Sequence, residues 1–184
     1  MLAYVFWHIP AAHVSRDAYE QALRNFHQHL AAAAVPGFIR SEAHRLESVP
    51  WLSGSPAYED WYLIADSAAL DPLEAAAVGA RMGPSHDAVA AMAAAGAGGL
   101  YTSVLVGAES GPETAAEWFG KPAGAAYPAF IEGLRGHVVP GGWLWQRKMV
   151  LGPSPEFCIL HPPGERRAGR SQPLTRSRVF PDPR

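Results

Sequence analysis

Cysteine is almost absent from this chain: Cys158 is the only one in 184 residues. No intramolecular disulfide can form and no cysteine cluster can hold a metal, which points to a reducing compartment and to the cytoplasm as the expected location. Long apolar runs are missing too. The stretch 2–9 follows no basic leader and is cut by Pro10, so it reads as a strand rather than a signal peptide. The alanine-rich run 88–97 is too short and too glycine-broken to span a bilayer, and no membrane partner is expected. A phosphate-binding glycine loop, a dinucleotide fingerprint, a serine nucleophile elbow and a zinc-binding helix are also lacking, which disfavours nucleotide-dependent chemistry. Charge is sparse and nearly balanced, 15 basic against 17 acidic residues, but it is unevenly placed. Residues 162–184 carry six arginines against Glu165 and Asp182, a balance of +4 that leaves −6 on the remainder. A body of that sign repels phosphate, and scattered arginines without interleaved aromatics are not a nucleic-acid surface, so no nucleic-acid partner is expected.

Hydrophobic residues make up 48% of the chain, enough to build a core. Residues 2–9 are apolar on both alternating sets, Tyr4, Phe6 and His8 against Ala3, Val5 and Trp7, as in a strand covered on both sides. Asp17 and Glu20 head a helical pattern in the manner of a capping box, and Tyr19, Leu23, Phe26 and Leu30 then repeat at helical spacing until Pro36-Gly37. Residues 38–47 form a more polar strand, 58–65 another strand apolar on both faces, 70–95 a helix-rich stretch broken at Gly79 and Gly83-Pro84, and 100–106 a fourth strand. The order βαββαβ is that of an α+β ferredoxin-like unit with an antiparallel sheet and both helices on one face. Beyond it, residues 127–134 give a weak helix, and 143–151 with 156–161 give a β-hairpin. The expected organisation is a ferredoxin-like domain over 1–107, a C-terminal helix and β-hairpin extension over 108–161, and a Pro/Arg-rich extended tail over 162–184. The tail's charge makes it an arm lying on the acidic body, reaching a second subunit.

The strand at 58–65, the Asp66-Ser67 start and the Gly83-Pro84-Ser85-His86 step resemble the dimeric α/β-barrel superfamily, which includes stress-responsive barrel proteins, antibiotic-biosynthesis-type monooxygenases and haem-degrading relatives. The resemblance covers roughly residues 2–107 and implies two ferredoxin-like sheets packed face to face, a homodimer and a small enclosed cavity. It also implies a monooxygenase acting without a cofactor on an aromatic or apolar small molecule, or a related ligand binder; haem binding is the further possibility the relatives raise.

With the third strand between the first and second, His8, His44 and Asp60 share one end of the sheet. They are the candidate catalytic residues, with Tyr4, Phe6, Glu42, Trp51, Tyr62 and His86 as candidate ligand-binding residues; Tyr4, Phe6, His8, Glu42 and His44 are expected on a sheet face turned away from the helices. Three readings of His8, His44 and the carboxylates stand side by side: hydrogen-bonded structural residues, an acid/base pair that deprotonates a phenol or enol, or a two-histidine, one-carboxylate metal site with no motif behind it. His86 is either a helix cap or, by the resemblance, a haem ligand, and Trp51 is a lid candidate. His27 and His29 are expected at the surface, and Cys158 buried and inert. A non-catalytic assembly protein, whose apolar face serves only for packing, is the alternative from a different class.

Overall fold

The computed structural model describes residues 1–79, 83–107, 115–148, 152–162 and 174–181. Contacts divide the chain into two units, Met1–Gly98 with Ser177–Arg184, and Gly99–Arg176. The first unit begins with β1 (Leu2–Pro10), α1 (Arg16–Ala32), β2 (Phe38–Leu46) and β3 (Ala57–Ile64). It continues through a single 3-10 turn at Ser67–Ala69 into α2 (Leu70–Val78), α3 (Gly83–Ala90) and the opening of β4 (Ala93–Val106). Its strands lie in the order β4, β1, β3, β2, with β9 (Ser177–Phe180) added outside β2. β3 is antiparallel to both β1 and β2. That is the ferredoxin-like arrangement expected of βαββαβ.

Helix α1 follows its apolar spacing, burying Tyr19, Leu23, Phe26 and Leu30. Each such burial contributes about 1.5–3 kcal/mol. Its cap is Ser15, whose hydroxyl accepts from the Ala18 amide, and Asp17 sits inside the first turn rather than heading it. Asp66 caps the 3-10 turn through the Ala68 amide at 2.9 Å.

The largest departure from the sequence reading is β4, which begins at Ala93 instead of residue 100. Alanine favours helix, but here the small residues are what pairing beside β1 requires. A Cβ added to Gly96 would lie 2.5 Å from Phe6 Cζ, and one added to Gly98 would lie 2.6 Å from Tyr4 Oη. The rings of β1 therefore lie across glycines. Gly96→Val is expected to overpack this strand and lower stability by about 1–3 kcal/mol, read as a fall in the thermal midpoint. An unchanged midpoint would mean Phe6 swings aside freely.

The second unit has the strand order β8, β5, β7, β6, β4, formed by the end of β4 with β5 (Ala115–Phe119), β6 (Trp143–Arg147), β7 (Phe157–His161) and β8 (Leu174–Thr175). The expected hairpin is present, with Trp143 opposite Leu160 and Trp145 opposite Cys158. Strand β6 ends at Arg147, and residues 149–151 of the expected strand lie outside the described residues. Strand β5 was not foreseen; it pairs with β7 across Trp118 and Cys158. Helix α4 (Tyr127–Leu134) buries Phe130 and Leu134 against Phe119, Leu144, Phe157 and Ile159. Cys158 is buried, as expected.

The arginine-rich tail is tied by backbone pairing, not by surface charge alone. β9 pairs with β2, placing Phe180 opposite Ala43, and Val179 joins the core of Tyr19, Leu23, Ala43 and Tyr58. The arm thus docks on its own chain, with Arg178 opposite His44 and Phe180 opposite Ala43 across a shift in register. Residues 163–173 and 182–184 of the tail, and 108–112 of the expected linker, lie outside the described residues. No helix among the described residues is long and apolar enough to cross a membrane.

Candidate functional site

Strand register decides which side chains meet. Tyr4 lies opposite Tyr62, Phe6 opposite Asp60 and His8 opposite Tyr58, while Asp60 lies opposite Ala43 on β2. One face of the sheet therefore carries Tyr4, Phe6, His8, Tyr58, Asp60, Tyr62, Ser41 and Ala43. It faces the helices, because His8 meets Tyr19 and Ser41 meets His27, both on α1. The candidate face is thus covered by helices, not turned away from them. Alternation groups residues into faces but does not say which face the crossovers cover.

Between this face and the helices lies a cavity of about 700 Å³. The sheet supplies Tyr4, Phe6, His8, Asp60 and Tyr62, and the helices supply Tyr19, Phe26, Leu73 and His86 among others. Its size and largely apolar wall suit a small molecule.

His8, Asp60 and Tyr19 form the polar end, and His27 stands behind Asp60, sealed from the cavity; sequence reasoning passed over both Tyr19 and His27. The Tyr19 hydroxyl lies 2.6 Å from His8 Nδ1. His8 Nε2 lies 3.1 Å from Asp60 Oδ2, and His27 Nε2 lies 3.4 Å from the same oxygen. Neither ring N–H points squarely along its contact, so both act electrostatically rather than as well-formed hydrogen bonds. The Tyr62 hydroxyl donates to Oδ2 at 3.1 Å, and Oδ1 has no hydrogen-bond partner among the described residues. His8 is held flat between Phe6 and Tyr58, with ring centroids 5.4 and 5.7 Å away.

Burial by itself would raise the Asp60 carboxyl, but His8 and His27 facing its oxygen outweigh it and hold the group below the usual carboxylate range. Burial, and then the Asp60 charge, push the Tyr19 and Tyr62 phenols above their ordinary range, so both stay protonated and donate. The Asp60 carboxylate facing Nε2 assigns the His8 proton to that nitrogen, so that Nδ1 accepts from the Tyr19 hydroxyl.

Other candidate residues lie elsewhere. His44 and Glu42 occupy the opposite face of β2 from Asp60's neighbours, where Glu42 takes Arg40 at 2.9 Å and lies 3.8 Å from His44. Trp51 packs edge-on against Trp7, also on that opposite face, and does not line the cavity. His86 does line it, beside Phe26, with Nδ1 3.2 Å from Asp87. His27, expected at the surface, is fully buried. The spacing Tyr19, Leu23, His27 was the available signal, since i, i+4, i+8 share a helix face.

Among the described residues the cavity's polar lining matches neither a metal nor a haem. Among the described residues no group of three or more His, Cys, Asp or Glu is placed to hold a metal ion. Both imidazole nitrogens contact the Asp60 oxygen directly, leaving no gap for an ion. For a haem, no described lysine or arginine lines the cavity, whereas Asp71 and Glu74 do, so its two propionates would meet carboxylates.

No family model matches the sequence, and no curated protein matches it. Solved structures do. A candidate monooxygenase from Fusobacterium nucleatum is 9% identical with a TM-score of 0.61, covering 86% of this chain and 73% of that one. SnoaB, a cofactor-independent oxygenase from Streptomyces nogalater, is 18% identical with a TM-score of 0.44, covering 59% of this chain and 97% of that one. A dimeric ferredoxin-like protein of unknown function from Thermobifida fusca is 14% identical with a TM-score of 0.40, covering 54% of this chain and 87% of that one. At such identities the likeness is one of fold. The first unit has the antiparallel, ferredoxin-like α+β fold that the sequence resemblance implied for residues 2–107.

Proposed function

We propose that the first unit binds a small phenolic aromatic compound beneath its helices and deprotonates it, acting as a monooxygenase that needs no cofactor. The observation that carries this reading is the file Tyr19, His8, Asp60 at the polar end of an apolar cavity. A purely structural module can fill such a space with side chains; here it is open and ends on an imidazole backed by a carboxylate. The homodimer implied by the sequence resemblance belongs to the same proposal.

In this reading a ligand hydroxyl donates to the Tyr19 oxygen while the Tyr19 proton passes to His8 Nδ1. Tyr19 need never exist as a free phenolate, which suits its raised pKa. The imidazolium so formed is stabilised by Asp60 on its Nε2 side, as in a nucleophile, base and carboxylate file. The ligand's enolate carbon then adds dioxygen, the peroxide takes the proton back from His8 through Tyr19 to give a hydroperoxide, and this loses water to leave a carbonyl. A CH₂ becomes C=O: one oxygen atom stays on carbon, the other leaves in water, and the substrate supplies all four electrons. No external reductant is required. Asp71 and Glu74 disfavour carboxylate ligands, and Asp60 Oδ1 can accept from a further ligand hydroxyl.

The test is oxygen uptake by the full chain with hydroxylated anthrones, and with their carboxylated analogues, in the presence of EDTA and without flavin. Equimolar oxygen consumption with the uncharged compounds, and much slower uptake with the carboxylates, is expected. Uptake with no compound above the protein-free rate would remove the reading.

A further inference from the structure

We propose that His27 is a positioning residue of the proton file, and that the C-terminal strand β9 builds it into the site through Phe180. The idea rests on the function proposed above, but its readout does not depend on catalysis.

His27 is fully buried and does not line the cavity, so it cannot touch a ligand there. Its Nδ1 lies 2.8 Å from the Ser41 hydroxyl on β2, and its Nε2 reaches the Asp60 oxygen that His8 also faces. One carboxylate thus stands between two imidazoles, one facing the cavity and one sealed from it. The sealed ring has little freedom to turn. Tyr62 stacks on it at 5.4 Å with planes 12° apart, Phe180 stacks on it at 5.2 Å and 20°, and Phe26 meets it edge-on at 5.5 Å. Across the sheet Asp60, Ala43 and Phe180 form one row. The small Ala43 leaves room above the middle of that row for His27 to descend from α1 towards Asp60.

Phe180 closes the side of His27 away from Tyr62, and it comes from a strand some 140 residues after Ser41. Without that ring His27 can rotate off Asp60, and the carboxylate keeps only the Tyr62 hydroxyl to hold its Oδ2 on the Nε2 side of His8. The charged and titratable groups around His27 are Asp60 and Tyr62 on β3 and His8 on β1, with Ser41 its polar contact on β2. The groups that set the His8 proton are therefore the same ones that His27 and Phe180 hold.

The experiment is ring-nitrogen NMR of ¹⁵N-histidine-labelled full-length protein, comparing wild type with His27→Ala, His27→Gln and Phe180→Leu. Leu23→Ala serves as a core variant of comparable burial. Wild type should show His8 as the single tautomer protonated on Nε2. His27→Ala and Phe180→Leu should shift His8 towards averaging between tautomers, His27→Gln should restore the wild-type signature, and Leu23→Ala should lower the melting temperature without moving it. Phe180→Leu keeps an apolar side chain on β9, so it decides the matter if His27→Ala does not fold. A His8 signature unchanged in folded Phe180→Leu, or moved equally in Leu23→Ala, overturns the proposal.

Discussion

Replacing Asp60 by asparagine is expected to lower folding stability by about 3–5 kcal/mol, the usual cost of removing one partner from a buried ion pair. The carboxylate is 3% exposed and receives two imidazole nitrogens and the Tyr62 hydroxyl on a single oxygen. Asparagine keeps the shape but not the charge, and its amide presents donors where donors already converge. Urea denaturation should show a lower midpoint with an unchanged slope, since the surface exposed on unfolding is the same. A loss under about 1 kcal/mol would mean that the pair contributes almost nothing net, as some buried pairs do. The pH dependence has a definite sign. The Asp60 carboxyl is held below its ordinary value in the folded state, so its contribution is fully present above the unfolded pKa of about 3.9 and is lost as pH falls through the folded value. The gap between wild type and Asp60→Asn should therefore narrow below about pH 4.

How much of this site could be read from sequence is best seen in Asp60's neighbours. The set Tyr4, Phe6, His8 is fixed by alternation, and the antiparallel placement of β3 beside β1 follows from topology, so bringing His8 and Asp60 together needed no coordinates. Pairing β2 correctly needed its register. Asp60 faces Ala43, flanked on its own face by Ser41 and Arg45, and a one-residue difference sends His44 and Glu42 to the other side of the sheet. Phe38 and Arg40 bracket an irregularity in that strand, which no pattern of side chains reveals. In α1, charge and hydropathy mark His27 as polar while its spacing from Tyr19 and Leu23 marks it as buried. The spacing prevails because the Ser41 hydroxyl pairs with Nδ1 and the Asp60 carboxylate faces Nε2. The alanine and glycine run at the start of β4 shows the reverse conflict, local propensity yielding to a pairing that only small residues permit. Strand β9 was hidden by its composition, since four residues within an arginine-rich tail carry too weak an alternation to stand out.

His8→Gln and Tyr19→Phe should each slow turnover of the fastest compound from the oxygen-uptake screen by about 10²–10⁴-fold, the range that a positioned acid or base contributes. His8→Gln removes the acceptor of the proton. Tyr19→Phe leaves His8 and Asp60 in place and deletes only the hydroxyl that stands 2.6 Å from Nδ1, so it separates a relayed transfer from a direct one. Both variants should bind the ligand within a few-fold of wild type, because the apolar wall of Phe6, Phe26, Leu73 and Val89 is untouched; the loss then falls on kcat rather than on KM. Tyr19→Phe also removes the hydrogen bond that His8 Nδ1 accepts. Its pH profile should accordingly change shape and not merely fall in height. Should Tyr19→Phe turn over as fast as wild type while His8→Gln is inactive, the ligand hydroxyl reaches His8 itself, and Tyr19 serves as a removable plug over the base. Should both variants retain full activity, the proton leaves by a route that does not include this file.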